Sequence, residues 1–281
     1  MQERLSGEAF EYRTVPHAAV SVKGEGVVAT LYNSGKLVIQ GAGAEAFIAR
    51  YVPSDAAGAV QPSAAKTERE PTPTVLLIGS DECGKGDYFG PLVVCAVKLT
   101  PEMAEKLAGG RIADSKTLSD KLILTLAGTL RDLVPHAIAR LDPAQYNAEY
   151  ERIQNVNELL ADLHAQAIRE LYEPGIHVLV DRFANEKLIA SRLSNLDITL
   201  EQRPRAESNL AVATASVIAR DEFLNAMSEL SNEHAVELPK GAGSQVDLAG
   251  AEFARLHGFE ALNQVAKIHF KTTDKIRSLL S

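Results

Sequence analysis

The sequence of 281 residues contains no tryptophan, and aromatic residues make up only 5% of it. A protein that grips single-stranded nucleic acid by stacking bases on aromatic rings needs a richer supply, so that class is disfavoured. Cysteine is scarce: Cys83 and Cys95 form no CxxC pair, and none of the seven histidines joins a cysteine at the spacing of a zinc site. No apolar run approaches the roughly 20 residues that a membrane span requires, which predicts no membrane partner. The first ten residues carry charges where a secretory leader has an apolar core, so the expected location is the reducing cytoplasm. Positive charge is in deficit, with 29 Lys and Arg against 37 Asp and Glu and a formal net charge of -8. That argues against coating nucleic acid by bulk attraction. It permits local handling, because a carboxylate cluster adds negative charge that bound cations offset. A phosphate-cradling GxxxxGK[ST] loop is missing as well.

What is present is organised in three stretches. Apolar residues make up 46% of the chain, enough for a packed core. Residues 1–52 read as a small α+β unit. Two β-rich runs, VVATLY and KLVIQ, flank Asn33-Ser34-Gly35, a hairpin signal because Asn and Gly tolerate positive φ, and residues 43–51 look helical. Residues 53–74, PSDAAGAVQPSAAKTEREPTPT, have almost no large apolar side chain and the composition of a flexible linker. Residues 75–281 open on an apolar strand, 75–79, that delivers Ser80-Asp81-Glu82, and a second strand follows over 92–99. Leu159, Leu160, Leu163, Ala167, Ile168 and Leu171 trace a helical stripe over 157–172. A strand over 176–180 ends at Asp181, and a helix rich in small residues covers 211–227. Short apolar strands alternating with helices predict an α/β fold.

The acids suggest chemistry. Asp81 and Glu82 sit side by side at a strand end, where their charges repel and a divalent cation would remove the repulsion. Adjacent strand residues point to opposite faces, so a shared role needs a twist or a bridging backbone group. Alone, the pair reads more simply as a solvated strand end. Asp181 ends another buried strand, where sites collect in α/β sheets. Glu207 precedes the small-residue helix, a place where an acid also simply suits the helix dipole. Together, oxygen-only donors suit Mg2+ or Mn2+ rather than zinc. Two such ions, about 4 Å apart, neutralise both the attacking and the leaving oxygen of a phosphodiester. Gly84-Lys85-Gly86 follows directly, where backbone amides can approach a sugar or phosphate closely. A backbone contact to a 2′-hydroxyl is the simplest way to tell RNA from DNA.

These motifs resemble one family. GSDECGKGDYFGPLVVCAV is similar to the DExGxG opening of type 2 ribonucleases H, and ADSKTLSD, residues 113–120, resembles that family's D-S-K segment. VLVDRF contributes the third acid, and RAESNLAVATASVIARDEF resembles the segment with the fourth acid and the helix behind it. Four features resemble the ribonuclease HIII branch: Lys between the glycines, the DYFGP continuation, YNAEYERIQNVNELLADLHAQAI, and the ending LPKGAGSQVD…KIHFKTTDK. YNSGKLVIQG is similar to the TBP-like substrate-binding domain of that branch.

The resemblance implies an RNase H-like catalytic domain with a mixed sheet over 75–281 and a small N-terminal TBP-like domain over 1–52. It implies two Mg2+ or Mn2+ ions and endonucleolytic cutting of the RNA strand of RNA/DNA hybrids, leaving 5′-phosphate and 3′-hydroxyl ends. Asp81, Glu82, Asp181 and Glu207 become the catalytic metal ligands. Gly84, Lys85 and Gly86 face the ribose, Ser115 and Lys116 take phosphate, and Arg205 contacts substrate. Lys240, His269 and Lys271 form a further basic set. Two positions depart from the pattern: Cys83, where an aliphatic residue is usual, and Glu207, where many relatives have Asp. A monomer is expected, since a hybrid-binding cleft needs no second subunit. A DNA-directed nuclease on the same fold is disfavoured by the Gly-Lys-Gly loop, and a non-catalytic binding module by the coincidence of four acids.

Overall fold

The computed structural model describes residues 10–16, 18–24, 26–33, 37–40, 47, 50–51, 70–108 and 119–281. The chain divides into two compact units, Met1–Glu68 and Arg69–Ser281. In the first, β1 (Glu11–Tyr12), β2 (Ala18–Gly24), β3 (Val27–Tyr32) and β4 (Leu37–Gln40) form an antiparallel sheet in that order. Leu31 pairs with Leu37 across the hairpin, whose Ser34 and Gly35 lie outside the described residues. Val22, Val27, Ala29 and Ile39 pack with Phe10, Phe47 and Tyr51, and the Phe10 and Phe47 rings meet edge to face at 5.7 Å. Of the helix expected over 43–51, Phe47, Arg50 and Tyr51 are helical and the rest lie outside the described residues.

The second unit is built on a mixed five-stranded sheet, which bears out the α/β expectation. Its strands are β5 (Leu77–Cys83), β6 (Leu92–Leu99), β7 (His136–Leu141), β8 (Ile176–Asp181) and β9 (Ile198–Arg203), in the spatial order β7-β6-β5-β8-β9. β5 pairs antiparallel with β6 and parallel with β8. The helices in chain order are α1 (Pro101–Ala108), α2 (Asp120–Leu133), α3 (Pro143–Ile153), α4 (Val156–Glu170), α5 (Glu186–Leu193), α6 (Leu210–His234), α7 (Ser244–His257) and α8 (Lys271–Leu280), with a four-residue turn at Leu262–Val265. Among the described residues, no helix is long and apolar enough to cross a membrane.

The strand period of two sorts side chains between two cores. Leu77, Val93, Cys95 and Val97 join α6 on one face, while Ile78, Val94, Ala96, Val178 and Val180 join α4 on the other. The α6 side is packed at backbone distance. A Cβ on Gly79 would lie 2.4 Å from the Ala211 carbonyl carbon and the Val212 nitrogen, so only glycine admits the helix there. This explains why α6 begins with small residues.

The stretch read as linker ends earlier than residue 74. Glu70 accepts hydrogen bonds from Ser208 Oγ at 2.7 Å and Asn209 Nδ2 at 3.3 Å, and pairs with Arg203. The backbone is therefore anchored on the second unit from Glu70 onward.

Candidate active site

β5 carries both adjacent acids inside the strand, because β6 pairs with it to the end: Asp81 opposes Cys95 and Glu82 opposes Val94. On the other side the parallel register runs to Ser80 opposite Val180, so Asp81 and Asp181 each follow the last pair of the ladder. Two carboxylates thus arrive at one sheet edge from adjoining strands. Asp181 Oδ1 accepts the Ala206 amide at 3.0 Å. That amide opens the single 3-10 turn Ala206–Ser208, which contains Glu207. The four predicted acids are linked in this way, step by step, around the ends of β5 and β8.

They do not converge as a preformed metal group. Among the described residues, no three His, Cys, Asp or Glu side chains close on one point. The alternation of the strand is the reason. Asp81 is on the α6 face, where Ser216 hydrogen-bonds it, while Glu82 is on the α4 face, where its Oε2 lies 3.4 Å from His164 Nε2. The Glu82 amide donates to Asp81 Oδ1 at 2.8 Å.

A cleft of about 360 Å³ opens at this edge. Asp81, Glu82 and Asp181 line it with the loop Cys83–Gly86 and with Ser216 and Arg220 of α6. Burial pushes the Asp81 carboxyl up to about 8, and the Glu82 and Asp181 charges push the same way, against the Ser216 hydrogen bond. The Cys83 thiol is raised to about 12 by burial and by the Asp87 and Asp81 charges, which rules it out as a thiolate nucleophile.

The other predicted residues divide. Gly84 has φ +90°, and a Cβ there would meet the Pro91 carbonyl oxygen at 2.2 Å, so the fold itself demands glycine. Gly86 has no such constraint, because its Cβ position is open. Lys85 donates to the Phe183 carbonyl at 3.2 Å and lies 5.9 Å from the Phe183 ring centroid. Glu207 is buried in its turn and Arg205, in the left-handed conformation at φ 59°, is exposed; neither lines the cleft. Ser115 and Lys116 lie outside the described residues. Lys240 pairs with Asp120, as does Arg220 at 2.6 Å. His269 is exposed and stacks on Tyr150 at 3.9 Å.

Sequence reasoning passed over Ser216 and His164. Ser216 stands four residues before Arg220 in an otherwise small and apolar run, a spacing that puts both on one helix face. His164 stands four residues from both Leu160 and Ile168, on the buried side of α4. A histidine inside an apolar stripe was the available signal.

A family model described as Ribonuclease HII matches residues 78–273, and one described as Domain of unknown function (DUF3378) matches residues 1–63. Ribonuclease HIII of Protochlamydia amoebophila (strain UWE25) is 41% identical over 276 residues, covering 97% of this chain and 91% of its own. Ribonuclease HIII of Chlamydia pneumoniae is 38% identical, covering 99% and 94%. The crystal structure of Bst-RNase HIII in complex with Mn2+ superposes with a TM-score of 0.69 at 33% identity, covering 100% of this chain and 95% of that one.

Proposed function

The chain belongs to the ribonuclease HIII family and is a ribonuclease H, and on that premise we propose that it cuts the RNA strand of RNA/DNA hybrids endonucleolytically with two divalent ions, leaving 5′-phosphate and 3′-hydroxyl ends. One observation carries the reading. Three carboxylates line a single cleft, and burial of Asp81 beside the charges of Glu82 and Asp181 raises its carboxyl to about 8. Like charges gathered around a buried carboxylate call for a cation.

The donor set fits Mg2+ or Mn2+: the acids offer oxygen only, and Cys83 on the cleft wall stays a neutral thiol because its pKa is raised to about 12. The Mn2+ of Bst-RNase HIII supports the same class of ion. Asp81, Glu82 and Asp181 would hold the ions from the cleft wall, with Glu207 contributing from the turn bonded to Asp181. When bound, such ions activate a water and neutralise the charge that develops on the leaving 3′-oxygen. The chain's own groups do the rest. The Gly84–Gly86 backbone meets the ribose, and the open Cβ position of Gly86 leaves room for it to approach. Lys85 presents its charge at the rim, braced by Phe183. Ser115, Lys116 and the exposed Arg205 take backbone phosphates.

The same reading makes residues 1–52 a TBP-like substrate-binding domain that raises the effective concentration of hybrid across the tether between it and Glu70, with the second unit as the catalytic domain. It also makes the protein a cytoplasmic monomer. The test is cleavage of an end-labelled RNA/DNA hybrid, beside the RNA alone and a DNA duplex, with Mg2+, Mn2+ or EDTA. Metal-dependent cutting confined to the RNA of the hybrid is expected, and Asp81→Asn should lower kcat by orders of magnitude with hybrid binding kept. Cutting of DNA, or of nothing, overturns the proposal.

A further inference from the structure

His164 is wholly buried in α4, with its ring engaged at Nδ1 and on one face. Nδ1 lies 2.7 Å from Ser80 Oγ, and Ser80 Oγ lies 3.0 Å from the Cys95 carbonyl oxygen. A hydroxyl has one proton. Given to Nδ1 across the shorter contact, that proton pins the rotation of the imidazole and leaves the ring's own proton on Nε2. The ring face stacks on Phe183 at 4.8 Å with planes 6° apart, and the Phe183 carbonyl in turn holds Lys85. What remains is Nε2, whose polar neighbour is Glu82 Oε2 at 3.4 Å. That contact is longer than a hydrogen bond, and Nε2 makes no other.

A purely structural side chain in this position would be apolar, as Leu160 and Ile168 are one turn to either side. Burying an imidazole among them costs free energy unless its polar atoms are used. The arrangement uses one nitrogen for anchorage and aims the second at an acid of the cleft. Ser80 and Glu82 share the α4 face of β5, two residues apart, while Asp81 leaves by the other face. Glu82 therefore needs a support of its own that Ser216, on α6, cannot provide.

We infer that His164 is a positioning residue for Glu82, holding that carboxylate at the mouth of the cleft so that it serves the same cation as Asp81 from the opposite face of the strand. The inference rests on the metal-dependent reading above. Its long Nε2 contact is of the kind that tightens when the site is loaded.

The test uses the full chain and three variants. His164→Phe keeps a ring against Phe183 and removes both nitrogens. His164→Gln places an amide near Nε2, and His164→Asn places one near Nδ1. Mn2+ binding is measured first by calorimetry without substrate, then hybrid cleavage is measured as a function of Mn2+ concentration. Loss of an orienting partner costs on the order of tenfold in metal affinity, expected for Phe and Asn, whereas Gln should stay within about threefold of the wild type. The Gln and Asn variants are compared at matched melting temperature, so a folding defect in the Phe variant leaves the result intact. Gln and Asn variants with equal Mn2+ affinity would overturn the inference, as would a folded Phe variant that binds like the wild type. A wild type that binds Mn2+ but leaves hybrids uncut would sink the nuclease reading alone, since the calorimetric comparison still decides the role of His164.

Discussion

Replacing Asp81 with asparagine should make the metal-free protein more stable while removing its activity. Asp81 is only 5% exposed, and its carboxyl rises from 3.8 to about 8 through burial and the neighbouring Glu82 and Asp181 charges. Because the folded value lies above the unfolded one, the unfolded chain loses its proton first. The carboxyl thus costs no stability well below pH 4, costs progressively more between about pH 4 and pH 8, and costs its full amount above that. At about 1.4 kcal/mol per pKa unit the ceiling is on the order of 6 kcal/mol. Asparagine keeps the acceptor for the Glu82 amide and carries no charge at any pH. The assay is urea denaturation of both proteins in EDTA from pH 4 to pH 9. The gap should be small at the acid end, widen to a few kcal/mol by pH 8, and close when saturating Mn2+ is added to the wild type. An asparagine variant no more stable than the wild type at pH 8 would refute the reasoning, because the buried carboxylate would then already be compensated within the chain.

Gly86→Ala should fold normally, since its Cβ meets nothing within 4 Å, yet cut hybrids at least tenfold more slowly if the ribose packs against that backbone. Unaltered cleavage would take Gly86 off the substrate path. Gly79→Ala should instead cost on the order of 3 kcal/mol in thermal or urea unfolding, because a Cβ 2.4 Å from the α6 backbone must push the helix off the sheet. A neutral result would mean that α6 sits farther from β5. Lys116→Ala should weaken hybrid binding and reduce its salt dependence by about one counterion, and an unchanged slope would remove Lys116 from the phosphate contacts. Deleting residues 1–68 should raise KM more than it lowers kcat; an unmoved KM would refute a substrate-binding role for the first unit.

Much of the second unit is legible in the sequence, because periodicity is a local property. The strands at Leu92–Leu99 and Ile176–Asp181 and the helix at Val156–Glu170 fall within a residue or two of the positions predicted from their apolar patterns. The small-residue helix was recognisable as well. Its length was not: it continues to His234, past a polar stretch that packing against α2 and the sheet overrides. The first strand was displaced for a similar reason. The sequence reads as a strand that ends before the acids, but β6 supplies hydrogen-bond partners through Cys83 and draws the acids into the ladder.

By itself, the sequence determined the residue types and their order: an acid pair behind an apolar strand, a glycine-lysine-glycine loop, a third acid at another strand end, and the family that such an order marks. Only the tertiary structure decided how those groups meet. The parallel pairing of β5 with β8 sets Asp81 beside Asp181, although one hundred residues separate them, and no local pattern encodes that register. The alternation of β5 sends Asp81 to Ser216 and Glu82 to His164, on helices of opposite faces. Ser216 and His164 look like ordinary members of their helices in the sequence. They acquire a role only because the helix faces that carry them close on the same two strand residues, and that is a consequence of packing in three dimensions.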